Sequence, residues 1–110
     1  MDINIQQFKK DAQSEMIVKM GDAMSSYVLK RIRHKNELHP KLLYEIIKDK
    51  ISKSNHIFDV VFIDDSQTIL FIVKAIGIHY VAEIEPLNNT YDILNEYLIK
   101  PKSGEIIENF

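Results

Sequence analysis

Three apolar runs in the middle of the chain define an expected sheet. They read IFDVVFID, TILFIVKA and IHYVAEIE between Ile57 and Glu85, separated by DDSQ-type turn residues and by Gly77. β-Branched and aromatic side chains dominate them, and such residues fit a pleated, half-buried surface. In the first run Phe58, Val60 and Phe62 share one side, while Ile57, Val61 and Ile63 share the other with Asp59 between them. In the second, Ile69, Phe71, Val73 and Ala75 alternate with Leu70, Ile72, Lys74 and Ile76. Both sides of both runs are mostly apolar, which predicts two strands central to a sheet, with Phe62, Phe71 and Val73 deepest. The third run sets Ile78, Tyr80, Ala82 and Ile84 against His79, Val81, Glu83 and Glu85, a one-sided pattern expected toward an edge. Asp64-Asp65-Ser66-Gln67 has hairpin-loop length, and Gly77 permits a tight reversal, so the three runs predict an antiparallel meander.

The first half of the chain has a different period. Ile5, Phe8, Ala12, Met16, Met20, Ala23, Met24 and Tyr27 recur at steps of three and four, the face of a helix running from about Ile5 to Ile32. Asn4 and Gln7 form a capping pair at its start. Gly21 is the point where it would bend or break. At 1.5 Å per residue such a helix is about 42 Å long, more than a small sheet covers. Met16, Met20, Met24 and Tyr27 are therefore candidates for self-association as well as for the core, since Met side chains adapt to irregular surfaces. Pro40 suits the first turn of a second helix over residues 40–52, whose apolar positions are Leu42, Leu43, Ile46, Ile47 and Ile51.

Beyond Pro86 the pattern is ambiguous. Tyr91, Leu94 and Leu98 lie at helical spacing and predict a short third helix, followed by a turn at 101–104 and a fourth strand at 105–108. The alternative pairs Tyr97-Leu98-Ile99 with Glu105-Ile106-Ile107 as a hairpin. The expected class is α+β: a long N-terminal helix and a second helix packed on a three- to four-stranded antiparallel sheet, with a short C-terminal helix or hairpin. All of it fits one domain over 1–110, helical over 4–53 and sheet over 56–110.

Composition narrows the chemistry. The 110 residues include no Cys, which excludes disulfides, Cys-based zinc sites and thiol catalysis. There is no apolar run fit for a signal peptide and none of the length a membrane span needs, so the expectation is a cytoplasmic protein. The formal net charge of −2 conceals a split. Residues 1–53 hold eleven Lys and Arg against seven Asp and Glu, whereas residues 54–110 hold three against nine. Such a split either orients the molecule toward a charged partner or lets the two halves attract each other. The densest basic cluster, Lys30-Arg31-Ile32-Arg33-His34-Lys35, is either a phosphate contact or a cationic helix C-terminus. It carries no interleaved aromatic platform, and the pI of about 6.1 also argues against nucleic acid as partner.

Catalytic and metal motifs are sparse. His34 and His39 have the spacing of part of a zinc signature, but no Cys completes it and Pro40 interrupts the helix. The three glycines are far apart, so no phosphate-cradling loop exists, and no nucleophile-elbow context surrounds a serine. No metal or cofactor is expected. Asp59 and Lys74 on successive strands resemble the core of restriction-endonuclease-like nucleases, in which an Asp and a (D/E)-x-K tripeptide bind Mg²⁺. Here the tripeptide is Ile72-Val73-Lys74, and isoleucine cannot ligate a hard cation. A degenerate nuclease is thus the third-ranked reading.

The leading expectation is a non-enzymatic protein-binding module. Asp59, Asp64, Asp65, Glu83 and Glu85 are the candidate surface, an acidic sheet suited to capture of a basic protein in the manner of immunity proteins and antitoxins, by analogy of class alone. The runner-up is a self-associating structural or adaptor protein, a homodimer formed through the long N-terminal helix.

Overall fold

The computed structural model describes residues 4–33, 37–54 and 57–110. The element order is α1 (Ile5–Arg33), α2 (Pro40–Ile51), β1 (Phe58–Ile63), β2 (Thr68–Ala75), β3 (Ile78–Pro86), β4 (Tyr91–Ile99) and β5 (Ile106–Asn109). The strands form one antiparallel meander in the order β1-β2-β3-β4-β5. The α+β class with two N-terminal helices is as the periodicities predicted, with five strands in place of three or four. His34 and His56, and with His34 the end of the basic cluster, lie outside the described residues.

Helix α1 starts where the capping pair predicted: the Gln7 N–H donates to Asn4 Oδ1 at 3.1 Å. It continues through Gly21 to Arg33 without a break. A Cβ built on Gly21 would meet nothing within 4 Å. A glycine in a helix interior costs about 1 kcal/mol relative to alanine, and no packing contact among the described residues calls for it at this position. Helix α2 begins with Pro40, and the backbone N–H of His39 just before it donates to Tyr27 Oη at 3.1 Å. That bond joins the two helices at a fully buried tyrosine.

The stripe Met16, Met20, Met24 and Tyr27 is core: each is at most 8% exposed. Their cover comes from α2, which packs along α1, together with the core face of the sheet. Strands β3 and β4 are nine residues each, about 30 Å long at 3.3 Å per residue. These four residues therefore offer no surface to a second copy. Contacts from Lys9, Gln13, Met16 and Arg31 clamp α1 to the sheet side. The Tyr80 hydroxyl donates to Glu96 Oε1, with Gln13 Nε2 at 3.5 Å from the same oxygen and Met16 Sδ at 3.8 Å from the hydroxyl. Lys9 Nζ lies 3.6 Å from Glu108 Oε1 and 3.7 Å above the Phe110 ring, which stacks on Tyr80. Arg31, buried in spite of its place in the basic cluster, donates from Nη2 to Asn89 Oδ1 at 2.5 Å.

Segment 91–99 is a strand and not the expected third helix. The register with β3 shifts between Glu83 and Ile84, so that Asn95 opposes Glu83 and Ile93 opposes Ile84. Leu94 is the extra residue of a bulge. The helix-side positions of β4 are thus Tyr91, Ile93, Glu96 and Leu98, and a step of three inside a strand imitates helical spacing. The hairpin alternative is the one realised, with Leu98 opposite Glu108 and Ile99 opposite Ile106.

The meander order holds, but which strands are central and which are at the edge is corrected. β3 is central and β1 is an edge. The one-sided pattern of β3 reflects an open sheet face and not an edge, since β2 and β4 pair with it on both sides. Phe71 and Val73 are buried as expected, but Phe62 on the edge strand is only half-buried, its ring 5.6 Å from that of Tyr44.

Candidate protein-binding face

Residues directly opposite each other across an antiparallel pair share a face, so the register assigns every strand residue to a side. One face carries Val60, Phe71, Ile69, Tyr80, Ala82, Ile84 and Leu98, which join the core cluster with both helices. Neither described helix packs on the other face. Its rows run Asp59–Ile72–Val81–Tyr97 and Val61–Leu70–Glu83–Asn95, with Lys74–His79–Ile99 below. Val81 is only 3% exposed yet lies outside the helix-side core, with Ile72 and Tyr97 as its register partners on this face. Leu70, Ile72, Tyr97 and Ile99 are half-buried and Val61 is 42% exposed. The two-sided apolar strands are therefore explained without a second layer: one side is core and the other is an open apolar floor.

Charge is distributed unevenly along that floor. Glu83 and Glu85 lie on it toward one end, and Asp64 and Asp65 occupy the β1–β2 turn beside that end. The turn is held by Gln67 Nε2 donating to the Asp64 carbonyl at 2.7 Å, with Gln67 itself at φ 55°. Glu83 accepts from Asn95 Nδ2 at 3.2 Å. Asp92 is directly opposite Glu85 in the β3–β4 register, and both are exposed. Like charges directly opposite across a strand pair are destabilising, so this end would be relieved by a cation. Asp92 is hidden in the sequence because Tyr91, Leu94 and Leu98 around it have helical spacing.

Asp59 does not join that acidic group. It lies toward the other end, with Oδ2 3.4 Å from Lys74 Nζ. Both side chains are well exposed there, so the pair contributes at most about 1 kcal/mol. Next to it, burial and the Lys74 ammonium hold the His79 imidazole below its ordinary pKa of 6.5, against the opposing pull of Asp59. Burial, and then the Glu83 carboxylate, raise the Tyr97 hydroxyl above its ordinary value.

The Asp59–Lys74 juxtaposition noted in the nuclease resemblance is thus an ion pair, with Ile72 in register opposite Asp59. Among the described residues no three His, Cys, Asp or Glu side chains come together as a metal site. His39 Nε2 faces Glu37 Oε2 at 3.6 Å at the start of α2. Also among the described residues, no helix is long and apolar enough to cross a membrane. No protein-family description matches the chain, and comparison with curated proteins and with solved structures returns no match.

Proposed function

We propose that this chain is a non-enzymatic protein-binding module that takes a basic protein onto the open face of its sheet, as inhibitors of the immunity-protein or antitoxin class do. One observation carries the reading. An apolar floor of Leu70, Ile72, Val81 and Tyr97 is left without a covering layer, and it borders an acidic end where Glu85 stands opposite Asp92. The apolar floor supplies area to bury, and the acidic end supplies steering and register. Phosphate backbones would be repelled by the same end, which argues against a nucleic acid. A Cys-free chain suits a reducing, cytoplasmic setting.

Stability and binding move in opposite directions in the test. Glu85→Lys converts a like-charge cross-strand pair into an attractive one, so the fold should be unchanged or stabilised by up to about 1 kcal/mol. Binding should suffer. Proteins captured from the source lysate by wild type are purified, and their association is measured against wild type and Glu85→Lys at rising salt. Slower association for the variant, and salt-weakened binding for wild type, is the expected result. A captured partner that binds Glu85→Lys as fast as wild type overturns the assignment.

A further inference from the structure

The outer side of α1 exposes several large apolar residues. Ile17, Val18, Leu29 and Ile32 are 57%, 63%, 66% and 58% exposed. Val18, Gly21, Ser25, Leu29 and Ile32 follow one another at steps of three, four, four and three, which lays them along one line. That line is on the far side of the helix from Met16, Met20, Ala23 and Tyr27, the residues that face the core. From Val18 to Ile32 it runs about 21 Å. The smallest residues, Gly21 and Ser25, are at its middle, and the space over Gly21 is empty.

We propose that this stripe is the contact between two copies of the chain, packed as antiparallel α1 helices about a two-fold axis beside Gly21. The pattern of charge singles out a second copy as the occupant. Exposed Asp11 and Glu15 border the stripe before Gly21, and exposed Arg33 borders it at its other end. An antiparallel copy sets the acidic border of one helix against the basic end of the other, twice, as a two-fold interface requires. A parallel copy would set like against like. Gly21 gives the two backbones room to approach to the short end of the usual 8–10 Å interhelical range. This accounts for a glycine that no packing contact among the described residues calls for. The two Asp22 side chains come near the axis and repel one another.

The self-association expected from the long helix is thereby moved from its Met face to its opposite face. It stands independently of the basic-partner reading. Both open sheet faces are on the far side of the helix layer from the contact, so the dimer presents two binding faces pointing outward. One helix face is small beside the roughly 800 Å² per partner of standard interfaces, so a micromolar dissociation constant is expected.

Sedimentation equilibrium of the full chain from about 1 to about 200 µM brackets such a constant. Wild type should rise from 12.9 kDa toward twice that mass. Val18→Lys and Leu29→Lys, both at exposed positions, should remain monomeric with an unchanged urea midpoint. Asp11→Lys should weaken association, and adding Arg33→Glu should restore it. Asp22→Asn should tighten it. Gly21→Ala should make the monomer more heat-stable yet weaken the dimer about tenfold, because the methyl groups hold the backbones apart. A wild type that stays monomeric throughout, or a dimer that Val18→Lys and Leu29→Lys leave intact, overturns the proposal. A Gly21→Ala dimer as tight as wild type overturns the close approach at that residue.

Discussion

Truncating Phe71 and its chain neighbour Ile72 in separate variants tests the division of the sheet into a core face and an open face. Phe71 is fully buried between Val60 on β1 and Ala82 on β3, with the Phe58 ring 5.8 Å away. Removing a buried aromatic ring costs about 3–5 kcal/mol, through lost transfer energy and the cavity left behind. Ala82 is too short to fill the gap and α1 is pinned above it by the Tyr80–Glu96–Gln13 contacts, so the upper half of the range is expected. Ile72 points the other way and is half-exposed. Removing it forfeits about half of the 1.5–3 kcal/mol of a full burial, with no closed cavity, or about 1–2 kcal/mol once strand preference is included. Urea unfolding at 25 °C, with the slope checked for constancy, gives both values. At about 4 °C per kcal/mol for a chain of this size, Phe71→Ala should lower Tm by about 16–20 °C. Equal losses at the two positions would mean that a layer covers both faces, and the open floor would be withdrawn.

Tyr27→Phe removes the acceptor for the His39 N–H and should cost about 1–3 kcal/mol by the same urea assay, since the donor is left at a fully buried ring. Tyr80 should shape alkaline stability. Burial and then the hydrogen bond with Glu96 raise its hydroxyl well above the ordinary value of 10.0. The folded state therefore holds a proton that the unfolded chain releases, and stability, complete below pH 10.0, falls as pH rises beyond it. Tyr80→Phe should flatten that decline in denaturant titrations at several alkaline pH values, and an unaltered slope would remove Tyr80 as its source. The His79 imidazole should titrate below 6.5 by NMR. Lys74→Met should raise its midpoint and Asp59→Asn lower it, opposite signs that follow from the charges facing it. The contribution of His79 to stability should weaken as pH falls through 6.5, because the unfolded chain takes up the proton first.

Local periodicity was enough to determine both helices, the Asn4 cap, the Pro40 start, the three-strand meander and the turn at Gly77. Each rests on contacts between residues near in sequence, or on a period of 3.6 or 2 that one side chain after another reports. Helix 91–98 failed for a reason that is equally local: the bulge at Leu94 put a step of three into a strand, and only pairing with β3 reveals that this step is a bulge. Which strand is central depended on that same pairing, and so did the place of Asp92 opposite Glu85. The acidic candidates were legible as residues but not as a group, because Asp59 pairs with Lys74 at one end while Glu83, Glu85, Asp64 and Asp65 collect at the other. Apolar pattern alone states that a face avoids water and not what covers it. Tertiary structure decided that the inner stripe of α1 is covered by this chain, and that the outer stripe and the far face of the sheet are not.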